Sequence, residues 1–223
     1  MQKLIKTTKK SAVMLQKIKQ FKVLHPFTSL MLFAIAIRLL AIVFVPGFGY
    51  CKGSFFHLGD SPWVMLLCRT AFATVSLFTV SMVYRICDLL SDNRDAAWNI
   101  ALIPSICVIL PSLGIINDVH FFVGLPVLLY GCNILLRQQV LRKANMNQNV
   151  HRSSYIIAGL MLGLAICLWY QCAFVVLAIL LMLCIKRDFK GILMTLIGIA
   201  VSLVFVWVIL LIFNINPWNL IRQ

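Results

Sequence analysis

The 223-residue chain contains no glutamate, so its six aspartates are its only carboxylate side chains. One of them, Asp118, stands between Asn117 and His120 at the mouth of an apolar stretch. A carboxylate at membrane depth costs free energy and usually marks a functional site. We therefore predict that Asp118 is one half of an active site on the outer face of a membrane.

The composition places the chain among membrane proteins. Hydrophobic residues make up 62% of it, the mean hydropathy is +0.98, and several runs approach the roughly 20 apolar residues that cross a bilayer. The formal charge of +14 lies in the loops and the N-terminal arm without interleaved aromatic residues. That distribution excludes a nucleic-acid partner and indicates a topology signal with affinity for anionic lipid.

The apolar runs predict an all-α, polytopic helix bundle over residues 27–223, behind a basic cytoplasmic arm at 1–26. Spans are expected at about 27–45, 62–84, 98–113, 119–136, 155–184 and 191–213. The 30-residue run at 155–184 is interpreted as a hairpin of two short helices that turns near Tyr170 and Gln171. With that turn, seven membrane segments leave the N-terminus and sixteen of the twenty cations on the cytoplasmic side.

This topology brings several polar residues to the outer leaflet. Arg38 and Arg69 lie within spans, and a guanidinium fork suits a phosphate because it donates paired hydrogen bonds and stays charged. A carboxylate suits a general base. The alternative is that both arginines extend outward to water and lipid, while Asp118 pairs with one of them to hold the bundle together. The remaining candidates are Asp60, Asn117, His120, Tyr170 and Gln171.

Neither a metal nor a cofactor is expected. The eight cysteines have no metal-ligand spacing, and the chain has no glycine-rich loop for a nucleotide. We interpret the cysteines as small apolar packing residues.

The order of several short motifs resembles a known family. The motifs are Arg38 with two leucines, then 68–73 (CRTAFA), 83–86 (VYRI), 96–97 (AA), 103–104 (IP), 117–122 (NDVHFF), 129–130 (LY), 158–165 (AGLMLGLA) and 169–170 (WY). Over about residues 33–182 they are similar to the core of C-type membrane glycosyltransferases that use polyprenyl-phosphate sugars. That group includes protein O-mannosyltransferases and aminoarabinose transferases, of the glycosyltransferase family 39 type.

The resemblance implies an integral membrane glycosyltransferase that moves a sugar from a polyprenyl-phosphate donor to an acceptor on the outer face. Asp60 would be the base and Asp118 a second, positioning carboxylate. Arg38 and Arg69 would stabilise the phosphate leaving group. Asn117, His120, Tyr170 and Gln171 would help to bind the substrate. The expected partners are the polyprenyl-phosphate-linked sugar, anionic lipids and a membrane protein, in a plasma membrane or, in a eukaryote, the endoplasmic reticulum.

Departures from the family pattern leave alternatives open. Such enzymes carry an acid early in a longer first outer loop, whereas the only acid in this loop is Asp60, close to the second span. Relatives also continue through more spans, so a truncated core, a minimal member and a decayed copy all remain open. The other classes are a small membrane transporter, for which a broken span is typical, a lipid-handling scaffold, and a noncatalytic membrane subunit.

Overall fold

The computed structural model describes residues 20–44, 62–91, 93–107, 119–143 and 152–213. The described backbone is helical, without a strand, as the apolar runs predicted. Three helices, α1, α2 and α7 below, are long and apolar enough to cross a bilayer, which indicates a membrane protein. In chain order the helices are α1 (Pro26–Phe44), α2 (Pro62–Leu90), α3 (Arg94–Cys107), α4 (Val119–Lys143), α5 (Arg152–Leu168), α6 (Cys172–Ile185) and α7 (Phe189–Ile212).

The long apolar run divides where the sequence predicted. Helix α5 ends at Leu168, and the Cys172 N–H donates to the Trp169 carbonyl at 2.9 Å as α6 begins. The Tyr155 hydroxyl at the start of α5 lies 2.8 Å from Asp188, just past the end of α6. The two helices therefore run in opposite directions, and the predicted hairpin is confirmed. Seven crossings, the cytoplasmic N-terminus and the boundary of the basic arm at residue 26 stay predictions.

The chain forms two units, of which the first contains α1, α2 and α3. Each of its helices begins at a residue type that favours the first turn of an α-helix. Pro26 and Pro62 open α1 and α2, because a proline at that position loses no hydrogen bond. The Asn93 side chain accepts the Asp95 N–H at 2.9 Å and caps α3. The three helices meet at a core that includes Leu30, Val80 and several alanines.

The second unit contains α4, α5, α6 and α7. Glycines bring its helices together: a Cβ on Gly159 or Gly198 would overlap backbone atoms of the facing helix in the α5–α7 pair. Gly131 of α4 similarly lies against Leu162 of α5. Small residues permit close backbone approach in membranes, where dispersion contacts rather than exclusion of water hold helices together. The outer face of α7 exposes large apolar side chains such as Phe205 and Trp207, as expected of a surface that meets lipid.

Candidate functional site

Arg38 lies at the centre of the first unit and is 1% exposed. Its Nε donates to Ser76 Oγ at 2.7 Å and its Nη2 to the Ser76 carbonyl at 3.3 Å. Its Nη1 donates to the carbonyls of Ala34 and Ser105, at 2.9 and 3.4 Å. The Ser76 hydroxyl donates to the Ala73 carbonyl, which turns an oxygen lone pair towards Arg38. One guanidinium thus ties together α1, α2 and α3.

The hydrogen bonds of Arg38 compete with its predicted role in phosphate binding. A buried guanidinium that donates to a hydroxyl and three carbonyls is solvated by the protein, although no described carboxylate forms a salt bridge with it. A phosphate could reach it only by displacing these acceptors. Direct phosphate contact by Arg38 stays a prediction, while its contacts define a helix-joining role.

Arg69 occupies a different setting, near the start of α2. Its Nη1 donates to the Ile42 carbonyl of α1 at 2.9 Å. The half-buried side chain also borders a shallow cavity of about 430 Å³ that is open at the surface, and the other described residues along it, such as Pro62, Trp63 and Leu66, all belong to the start of α2 and are exposed. A cation at one edge of an apolar cavity can contact an anionic headgroup while the wall contacts a hydrocarbon chain.

The structure therefore brings the two predicted arginines to one helix pair. Arg38 reaches from α1 to Ser76, and Arg69 reaches back from α2 to Ile42. Residues 38 and 42 are one helical turn apart, or about 6 Å along the axis. Arg38 lies within the packed unit, whereas Arg69 opens onto the surface.

The other predicted site residues lie in the second unit or outside the described residues. Tyr170 and Gln171 form the exposed turn between α5 and α6. Asp60, Asn117 and Asp118 lie outside the described residues, as does the side chain of His120. Their predicted roles in catalysis and binding remain predictions.

The structure also contains a polar cluster around Asp188 that was not predicted from the sequence. Asp188 is 6% exposed, and its Oδ2 accepts hydrogen bonds from Tyr155 Oη at 2.8 Å and Gln139 Nε2 at 2.9 Å. Its Oδ1 accepts the Gly191 N–H at 3.2 Å and lies 2.8 Å from Arg142 Nη1. An isolated aspartate three residues before a glycine, at the start of an apolar run, was the available signal for a helix cap.

The surroundings of Asp188 favour its ionised form. Burial by itself raises the pKa of the carboxyl, but the hydrogen bonds from Tyr155, Gly191 and Gln139, with the charge of Arg142, lower it below the ordinary value of 3.8. The carboxylate thus stays charged at neutral pH and joins α4, α5 and α7. We call these five residues the Asp188 cluster.

The described residues hold no group of three histidine, cysteine or acidic side chains arranged to bind a metal ion. Comparison with protein-family models, with curated proteins and with solved structures gave no match.

Proposed function

We propose that the chain is a membrane glycosyltransferase that uses a polyprenyl-phosphate sugar and acts where α2 begins. The observation that supports this most directly is the Arg69 cavity, in which a cation adjoins apolar walls from Pro62, Trp63 and Leu66. This combination suits a donor with a phosphate at one end and a hydrocarbon chain at the other. The motif resemblance around residues 68–73 supports the same assignment.

In the proposed reaction, an acceptor hydroxyl attacks the anomeric carbon of the sugar from the face opposite the phosphate. The new glycosidic bond forms as the bond from that carbon to the phosphate oxygen breaks, so the configuration inverts. Asp60 takes the hydroxyl proton, and polyprenyl phosphate leaves with the bonding electron pair. Arg69 stabilises the charge that develops on the phosphate, and Asp118 orients a substrate.

Arg38 has a positioning role in this proposal. Its bonds to Ser76 and Ser105 fix α2 and α3 against α1, and α2 carries Arg69 two turns before Ser76. Arg69 alone, rather than both arginines, thus stabilises the phosphate leaving group.

The test measures sugar release from a polyprenyl-phosphate donor in proteoliposomes. Arg69→Gln should lower turnover about 100-fold, the usual loss when a transition-state donor is removed. Asp60→Asn and Asp118→Asn should each lower turnover as well. Arg85→Gln provides a matched control, because Arg85 is an exposed arginine more than four turns further along α2. Wild-type turnover in both aspartate variants would refute the mechanism.

The same liposomes distinguish the alternative functions. Solute flux without sugar release indicates a small transporter. Saturable binding of the donor without turnover indicates a lipid-handling scaffold or a noncatalytic subunit. Either result contradicts the glycosyltransferase proposal.

A further inference from the structure

Cations from three chain segments gather around the Asp188 cluster, at one end of the second unit. Arg142 contacts Asp188 directly, and Arg152 lies one turn before Tyr155, which also contacts Asp188. Lys186 and Arg187 precede Asp188, and Lys190 follows it. We call the five cations Arg142, Arg152, Lys186, Arg187 and Lys190 the cationic rim.

The cationic rim carries a large excess of positive charge. Every one of its residues is exposed, and the only carboxylate among the described residues of the second unit is the buried Asp188. In the first unit, by contrast, Asp88 and Asp95 are exposed near the exposed cations Arg85 and Arg94, and Lys22 lies 3.8 Å from Asp95. Among the described residues of the second unit, Asp188 therefore offsets only one of the five positive charges of the rim.

The backbone at Arg187 fixes the position of this cation in the rim. Its φ of 54° lies in the left-handed region, which glycine adopts freely and other residues adopt at a cost. Arg187 occupies the tight turn between α6 and α7, where a glycine would fit without that cost. The Arg187 N–H donates to the Cys184 carbonyl at 2.9 Å and the Asp188 N–H to the Leu183 carbonyl at 3.0 Å, so this turn closes the end of α6 and leaves the Arg187 side chain exposed.

The residues that flank this turn suit a membrane surface. Ile185 and Phe189 are exposed apolar side chains on either side of Lys186, Arg187 and Asp188, and they end and begin two apolar helices. Exposed apolar residues at such a point contact acyl chains, while neighbouring cations lie at the depth of lipid headgroups.

We propose that the cationic rim is a binding site for the phosphate headgroup of an anionic phospholipid, with Ile185 and Phe189 against its acyl chains. The Asp188 cluster makes this more than a diffuse charge effect, because it holds Arg142 of α4 and the start of α5 against the α6–α7 turn. The site is independent of the proposed sugar transfer.

The test counts phosphatidylglycerol and phosphatidylcholine molecules that stay bound to the purified full chain in native mass spectrometry. The wild type should retain phosphatidylglycerol preferentially. The double variant Arg187→Gly with Lys190→Gln should retain at least about tenfold less, given the usual attraction per cation near a charged bilayer surface. Arg85→Gln with Arg94→Gln removes the same number of charges from the first unit and should retain as much as the wild type.

Three outcomes would overturn the proposal. They are equal retention of the two lipids by the wild type, equal losses in the two double variants, and displacement of phosphatidylglycerol by excess inorganic phosphate. The last would indicate a site for free phosphate. Arg187→Gly alone controls for folding, because relief of the left-handed strain should raise the thermal midpoint in neutral detergent while lipid retention falls. A lower midpoint would show that the arginine serves the fold.

Discussion

The substitution Asp188→Ala should strongly lower the free energy of unfolding of the second unit. The substitution removes the acceptor for Tyr155 and Gln139, the cap on the Gly191 N–H and the partner of Arg142. Every one of these groups except Arg142 is buried, so water replaces the lost contacts poorly.

The size of this loss in the free energy of unfolding follows from the separate contacts that Asp188 makes. A hydrogen bond to a charged acceptor contributes about 1.5–3 kcal/mol, and loss of a capping side chain costs about 1 kcal/mol. The Arg142 side chain is 48% exposed, so solvent screening limits its ion pair to at most about 1 kcal/mol. Because contacts in one network are not additive, we expect a total loss of about 3–5 kcal/mol in the free energy of unfolding.

The assay is reversible unfolding in mixed detergent micelles, in chains whose other seven cysteines are replaced by alanine, followed by reaction of the buried Cys172 thiol with a fluorescent maleimide. Cys172 lies in the core of the second unit and becomes reactive when that unit opens. Asp95→Ala is the matched control, because the Asp95 side chain is 72% exposed and its ion pair with Lys22 spans 3.8 Å. The control should lose less than about 1 kcal/mol.

A loss below about 1 kcal/mol for Asp188→Ala, or equal losses in the two alanine variants, would refute the reasoning. Tyr155→Phe provides a further check, because it removes one hydrogen bond without changing the charge. It should cost about 1–3 kcal/mol, and the combination with Asp188→Ala should cost less than the sum.

Three further predictions concern pH and helix packing. The depressed pKa of Asp188 implies a stabilisation that is complete above the ordinary pKa of 3.8 and is lost as the pH falls through the lower folded value. The unfolding midpoint of the wild type should thus decline below pH 4 more steeply than that of Asp188→Asn. Ser76→Ala leaves Arg38 Nε without its 2.7 Å acceptor and should destabilise the first unit by about 1–3 kcal/mol in the same kind of unfolding titration, with Cys87 beside the core of that unit as the only remaining thiol. Gly198→Leu should separate α5 from α7, since even a Cβ overlaps the Ile156 carbonyl, and should expose Cys172 to maleimide without detergent denaturation.

The sequence predicted much of the fold because hydrophobic length is a direct physical signal. Runs of apolar residues located the helices α1 to α7, and the distribution of cations predicted the turn at Tyr170 and Gln171 that the structure contains. Helix ends were less accurate: α2 continues to Leu90 and α4 to Lys143, past the apolar spans into polar segments. A helix does not end where hydrophobicity ends, since polar residues extend it readily outside the lipid.

The candidate site was harder to predict, because sequence gives the depth of a polar residue but not its partners. Arg38 and Arg69 were both predicted in the outer parts of their spans, yet one is buried among serines and carbonyls and the other borders a cavity. Ser76 and Ser105, which accept hydrogen bonds from Arg38, had no distinguishing pattern. Asp188 was obscured by the cations beside it, whose charges had a sufficient explanation in membrane topology.

The polar groups of this protein fall into two classes: enclosed groups that join helices, and exposed groups that a ligand can approach. Arg38 and Asp188 are almost wholly enclosed and have hydrogen-bond partners on several helices, so each contributes to structure in its own unit. Arg69 and the cationic rim reach the surface beside apolar side chains. A phosphate-bearing lipid can approach the exposed groups directly, whereas it reaches the enclosed ones only by displacing their hydrogen-bond partners. Ligand chemistry in this chain is therefore expected at the ends of helices, at the depth of lipid headgroups.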